Sequence, residues 1–291
     1  MSRESHPEPK LAATSVAVAV GIGDDSPQKL TDNNVVLPVA RTPKGTVRAL
    51  GWASASLLTA LVFITAALQP FSMPAILTAL LLWAVMATTI GYLSRHHHHE
   101  SFGYANTVTT ARAVAATILA GFIPIASQIS STGWLWAITI TATVALCLDG
   151  VDGYLARKYK SCSAFGARFD METDAFLALV ITLFLWQSEK TGIWVLGMGL
   201  MRYVFIGAAL WFAALRAELY PSMRRKSVCV IQVGALCLML CPWLSPFQAA
   251  SVGLLALACL VYSFAIDVFW LFRTHAAVVA QQQKQPGQAR K

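Results

Sequence analysis

Apolar runs long enough to cross a bilayer recur eight times along this chain, and that recurrence limits its fold more than any other feature. They extend approximately from Gly51 to Leu68, Ala75 to Leu93, Asn106 to Ile125, Trp134 to Leu148, Asp174 to Trp186, Ile193 to Leu215, Ser227 to Trp243 and Gln248 to Phe272. A hydrocarbon core about 30 Å thick admits a helix of such residues because the helix satisfies its own backbone N–H and C=O groups. With 56% hydrophobic and 12% charged residues and a mean hydropathy of +0.59, the composition lies outside that of a soluble domain. The expected fold class is an all-α integral membrane protein with eight transmembrane helices. The fifth run reaches spanning length only if its Asp-bearing start is included, which turns those carboxylates inward rather than toward lipid.

Lys and Arg accumulate on the cytoplasmic side of membrane proteins, so the loops report the topology. Arg41, Lys44 and Arg48 precede the first run, Arg95 follows the second, and Arg157, Lys158, Lys160 and Arg168 surround an acidic stretch. Arg216, Arg224, Arg225 and Lys226 follow the sixth run, Arg273, Lys284, Arg290 and Lys291 follow the eighth, and only Lys190 falls opposite. Both termini and the acidic stretch are therefore expected in the cytoplasm, in the inner membrane if the cell is bacterial. The net charge of +8 reads as a positive rim facing anionic inner-leaflet lipid, and no nucleic-acid-binding fold is visible.

Residues 1–48 are polar and carry scattered prolines, and 274–291 end in QQQKQPGQARK, so both are expected to be disordered cytoplasmic tails. The stretch from Leu11 to Gly23 follows acidic residues and prolines and lacks the Leu-rich core of a signal peptide. The six cysteines form no Cys-x-x-Cys pair and read as small hydrophobes in a reducing setting. The His96–His99 cluster reads as an exposed loop at a membrane boundary.

The chemistry concentrates in DGVDGYLARKYKSCSAFGARFDMETD, where Asp149, Asp152, Asp170 and Asp174 stand close together in an otherwise apolar chain. Carboxylates in a low-dielectric medium are costly unless cations hold them ionised. Asp149 and Asp152 are three residues apart and Asp170 and Asp174 four, so each pair shares one helix face and two such faces can converge. Between them, Gly150, Gly153, Tyr159, Lys160, Ser161, Ser163 and Gly166 supply turn and cap chemistry. Hard oxygen donors without His or Cys at matching spacing suit Mg²⁺ or Mn²⁺ rather than zinc, and four carboxylates balance two divalent ions. Such a pair of ions neutralises and orients a diphosphate while a phosphoryl group is displaced. Gly153 and Ala156 lack bulk where a nucleotide would approach, and Arg157 offers a planar donor fork to phosphate.

The run resembles the signature of the CDP-alcohol phosphatidyltransferase family, D-x2-D-G-x2-A-R-x8-G-x3-D-x3-D. Its fixed positions are matched by Asp149, Asp152, Gly153, Ala156, Arg157, Gly166, Asp170 and Asp174. Upstream, Asn106, Thr109 and Arg112 resemble the Asn-x-x-Thr-x-x-Arg element that begins that family's first core helix. The resemblance covers roughly Tyr104 to Phe272. It implies a six-helix catalytic core over 104–273, usually homodimeric, preceded by two extra transmembrane helices over 49–95 that the family does not explain. It further implies transfer of a phosphatidyl group from CDP-diacylglycerol to a small alcohol, with release of CMP, in phospholipid biosynthesis. Asp149 and Asp170 would bridge both ions, Asp152 would complete one site, and Asp174 would serve the other and act as general base. Gly153, Ala156, Arg157 and Ser163, with Asn106 and Thr109, would hold the CDP moiety.

Arg202 lies mid-run, where a guanidinium usually faces a cavity, so it is expected to point at the active site. The resemblance implies that basic residues at this depth hold the phosphate of a phosphorylated acceptor, with Arg112, Arg216, Arg225 and Lys226 as further partners. Glycerol 3-phosphate, as in phosphatidylglycerophosphate synthases, is the acceptor expected first. Tyr203 follows Arg202 and the run Arg224-Arg225-Lys226-Ser227 departs from the usual basic element, so inositol phosphate, inositol, serine and choline stay open. A divalent-cation carrier is the rival class. It has no use for Gly153, Ala156 and Arg157 in register with two acidic pairs, and no polar path continues to the opposite face.

Overall fold

A computed structural model describes residues 45–67, 73–94, 102–159, 163–217 and 222–284. The N-terminal tail before residue 45, the His96–His99 cluster, residues 160–162 and residues 285–291 lie outside the described residues. Among the described residues there are eight α-helices and no strand: α1 Thr46–Ala67, α2 Met73–Ser94, α3 Tyr104–Gly121, α4 Thr132–Lys158, α5 Ala164–Gln187, α6 Leu196–Trp211, α7 Met223–Leu240 and α8 Pro246–Lys284. Short 3-10 turns at Ile123–Gln128, Ile193–Val195 and Ala213–Arg216 join them.

The apolar runs locate these helices, while their ends differ from the runs for identifiable reasons. α4 does not stop at Leu148 but continues to Lys158, so Asp149 and Asp152 share a helix as their spacing implies, while Gly150 and Gly153, expected to supply turn and cap chemistry, lie inside that helix. α5 starts at Ala164, ahead of its apolar run, because Ser163 caps it: the Ser163 hydroxyl accepts the Gly166 N–H at 2.9 Å. α8 runs on to Lys284, into the segment expected to be a disordered tail, through Ala, Val and Gln residues that continue a helix without a breaker.

Among the described residues, five helical segments are long and apolar enough to cross a membrane: Thr46–Ile64, Met73–Tyr92, Thr132–Leu155, Ile193–Trp211 and Pro246–Ala276. The helices left out, α3, α5 and α7, are those carrying Asn106 and Arg112, Asp170 and Asp174, and Arg224–Lys226. Phe63, Leu81, Val204, Trp211, Val230 and Leu255 are large apolar side chains left exposed, as befits a protein whose solvent is lipid. The chain is a membrane protein.

Two compact units divide the chain, one of Pro38–Arg202 with Met223–Ser263, the other containing Tyr203–Ser222 and Phe264–Lys291. In the first, α3 is the central helix and packs against α1, α2, α4 and α5, while α7 packs against α4 and α5. Its small residues allow this, since Ala113, Ala116 and Ala120 are wholly buried and let neighbouring backbones approach. α1 and α2 close over α3 through Leu57, Leu61, Ala79 and Trp83, and Trp83 Nε1 donates to Ser54 Oγ at 3.0 Å to tie the two helices together. α6 meets α5 at Gly199, where a Cβ would stand 2.7 Å from Leu179 Cα. In the second unit, Phe205 packs edge-on against Phe264 and Phe212 against Phe272.

Candidate active site

Three helices converge on the acidic motif, and each presents its polar residues on the face it already buries. On α5, Asp170 and Asp174 continue the row of Leu177, Ile181 and Leu185, which are buried against the rest of the unit. On α4, Asp149 follows Ala142 and Ala145, both wholly or nearly wholly buried. On α3, Asn106, Thr109 and Arg112 occupy the same stripe as Ala113 and Ala116. The carboxylates thus meet because the apolar rows beneath them meet.

The result is a cluster in which Asp149, Asp170 and Asp174 each offer an oxygen within 4.8 Å of the others. Their side chains keep 48%, 32% and 40% of their exposure, so the cluster is open on one side. The donors are carboxylate oxygens alone, a hard set that fits a divalent ion such as Mg²⁺ or Mn²⁺. Asp152, Ala156 and Arg157 lie on α4 with the motif, and their side chains lie outside the described residues.

Arg112 stands at the centre of this cluster and is 0% exposed. Its Nη1 donates to Asp170 Oδ1 at 2.7 Å and lies 3.4 Å from Asp149 Oδ1, its Nη2 donates to Asp174 Oδ1, and its Nε donates to the Ala145 carbonyl at 3.0 Å. The sequence placed Arg112 among acceptor-binding residues; the structure gives its guanidinium to the carboxylates. No sequence signal marked that contact, because Arg112 is separated from Asp174 by 62 residues.

Beside the carboxylates, Asn106, Ser163 and Gly166 come together. A Cβ at Gly166 would lie 3.0 Å from Asn106 Oδ1 and 3.1 Å from Ser163 Oγ, so glycine there keeps two polar side chains side by side. Asn106 Nδ2 is held by the Phe102 carbonyl at 2.6 Å, which leaves Oδ1 turned toward Gly166, and Thr109 Oγ1 donates to the Ala105 carbonyl at 3.1 Å.

Residues 102–268 match the model of the CDP-alcohol phosphatidyltransferase family, which is more than half of the chain. The chain belongs to that family. No curated protein and no solved structure matches it. The phosphatidyltransferase is therefore an all-α membrane phosphotransferase of phospholipid synthesis that transfers a phosphatidyl group from a CDP-alcohol. The matched region opens at Phe102, just before α3, so α1 and α2 precede it.

The basic residues expected at the acceptor take different positions in the phosphatidyltransferase. Arg202 on α6 pairs with Glu172 on α5, a fifth carboxylate of the motif run that stands off the row of Asp170 and Asp174. Glu172 was legible as an unassigned acid between two assigned ones, and only the packing of α6 on α5 shows its partner. Arg225 and Cys229 lie one turn apart on α7. Lys226 is exposed. Arg216 donates to the carbonyls of Ala209 and Leu210 at 2.8 and 2.7 Å, which satisfies the end of α6 within its own unit.

Proposed function

We propose that this phosphatidyltransferase moves a phosphatidyl group from CDP-diacylglycerol to the hydroxyl of glycerol 3-phosphate and releases CMP, using Mg²⁺ or Mn²⁺. The observation that carries the reading is the meeting of Asp149, Asp170 and Asp174 beside Asn106, Ser163 and Gly166, a divalent-ion donor set next to polar groups of a size to hold a nucleotide. Asp149, Asp152, Asp170 and Asp174 would hold two ions, which when bound neutralise the diphosphate and make CMP a good leaving group. Asn106, Thr109, Gly153, Ala156, Arg157 and Ser163 hold the CDP moiety and orient its diphosphate.

Asp174 takes the proton from the acceptor hydroxyl as that oxygen attacks the phosphorus bonded to diacylglycerol. The bond from this phosphorus to the bridging oxygen breaks, and the electron pair leaves with CMP. Because the leaving group is already good, this chain's residues contribute mainly position and electrostatic stabilisation. Arg202, Arg225 and Lys226 hold the acceptor phosphate, with Glu172 keeping the Arg202 guanidinium aligned until an acceptor arrives.

We read α1 to α8 as eight spans with both termini and the site on the cytoplasmic side, and the enzyme as a homodimer in anionic inner-leaflet lipid. The polar helices α3, α5 and α7 then run inside the protein, where they need less hydropathy than a lipid-facing helix. The test is CMP release by purified protein in detergent with Mg²⁺ and CDP-diacylglycerol, offering glycerol 3-phosphate, inositol phosphate, inositol, serine and choline separately. Stimulation by glycerol 3-phosphate alone is expected. Stimulation by another alcohol reassigns the acceptor, and protein that does not bind CDP-diacylglycerol reassigns the CDP-linked donor.

A further inference from the structure

We propose that Arg112 is a positioning residue that competes with divalent ions for the motif carboxylates, so that it sets both their spacing and the weakness of their hold on metal. The proposal rests on the metal-dependent reading above. Its basis is geometric: one wholly buried guanidinium bonds to Asp149, Asp170 and Asp174, the same three residues whose oxygens come within 4.8 Å of one another.

The Ala145 carbonyl, at 3.0 Å from Nε, anchors the root of the fork on α4, so the plane of the guanidinium is fixed before it meets any carboxylate. Nη1 then reaches Asp149 Oδ1 and Asp170 Oδ1, and Nη2 reaches Asp174 Oδ1. A planar fork with fixed donor directions holds three acids at set separations, which a flexible ammonium cannot do. Three like charges so close would otherwise repel one another. The same contact has a cost for metal binding. The guanidinium engages the same carboxylates that would hold the metal and puts a unit positive charge against any ion that approaches them.

Arg112 is thus a template whose removal has two opposite consequences. The carboxylates lose their common register, which lowers turnover, and they lose a competing cation, which raises metal affinity. A residue that merely props up the fold predicts only losses. The sign of the change in metal affinity therefore separates the two roles.

The experiment uses the full chain in detergent, without lipid, titrated with Mn²⁺ while free Mn²⁺ is read by electron paramagnetic resonance. Arg112→Gln should lower the Mn²⁺ dissociation constant on the order of tenfold, the effect of removing a unit charge next to a divalent ion. Arg112→Lys keeps the charge but cannot reach three acids, and should fall between Arg112→Gln and wild type. If Arg112→Gln does not fold to a monodisperse species, Arg112→Lys alone carries the test, and binding no tighter than wild type overturns the proposal. Unchanged or weaker binding in both variants overturns it as well.

CMP release by wild type, run alongside, separates this inference from the transferase reading. Tighter Mn²⁺ binding in the variants with no CMP release from wild type sustains the role of Arg112 and removes the proposed donor and acceptor. Release from wild type with unchanged Mn²⁺ binding in the variants does the reverse. No Mn²⁺ bound by wild type or either variant overturns both.

Discussion

Arg112 and Asp174, 62 residues apart in the chain, share a hydrogen-bonded ion pair across α3 and α5. Asp174 is also the residue proposed as general base, so the pair would tie the frame of the site to its chemistry. An Asp174→Asn variant keeps Oδ1 as an acceptor for Arg112 and removes the capacity to take a proton. CDP-diacylglycerol binding should survive while turnover falls by roughly 10²- to 10⁴-fold, the usual contribution of a general base. Equilibrium binding of the CDP-lipid and single-turnover CMP release check the two halves separately. Full turnover in this variant would move the base to another residue.

Chelation tests the donor set directly. Stripping divalent ions with EDTA should abolish CMP release, and adding back Mg²⁺ or Mn²⁺ should restore it, while Zn²⁺ should restore it poorly because the donors are carboxylates without His or Cys. The recovered rate plotted against metal concentration is the measurement. Activity undiminished after exhaustive chelation would rule the metal out.

Gly166 should be intolerant of even one carbon. A Cβ there falls 3.0 Å from Asn106 Oδ1 and 3.1 Å from Ser163 Oγ, so Gly166→Ala must push the two polar groups apart. Because those groups are assigned to the CDP moiety, KM for CDP-diacylglycerol should rise about tenfold, the equivalent of one hydrogen bond displaced, with KM for the acceptor unchanged. A rise confined to the acceptor would assign Asn106 and Ser163 elsewhere.

The Arg202–Glu172 pair gives a prediction about the acceptor. Arg202→Met should raise KM for glycerol 3-phosphate by about 10- to 100-fold, as expected for loss of a charge-assisted hydrogen bond, and leave KM for the CDP-lipid alone. If steady-state kinetics show the two KM values rising together, Arg202 serves the fold rather than the acceptor.

Gly199 tests the packing rather than the chemistry. With a Cβ landing 2.7 Å from Leu179 Cα on the neighbouring helix, Gly199→Val should force α6 away from α5 and cost about 1–3 kcal/mol, seen as a lower midpoint in a detergent thermal-shift assay. Gly207, where an added Cβ meets nothing within 4 Å, is the control position and should accept Ala with little change.

Much of this protein was legible from local chemistry. Apolar runs imply helices because a chain in lipid has no other way to satisfy its backbone, and the spacing of Asp149, Asp152, Asp170 and Asp174 places each pair on one helix face. Helix ends were less legible. Hydropathy stops where a side chain turns polar, whereas the backbone stops at a cap, and so α4 carries Asp149 past its apolar run and α5 begins at the Ser163 cap.

Sequence alone determined the membrane environment, the helical class, the family and the acidic motif, all of which follow from residue identity and spacing within single segments. Tertiary structure alone decided which charges meet. Arg112 lies among the carboxylates because the alanines of α3 and α4 let the two helices close on each other, and Arg202 meets Glu172 because Gly199 lets α6 approach α5. Ion pairs between helices depend on the distance and rotation that packing imposes, and neither quantity is written in the spacing of residues along one strand of chain.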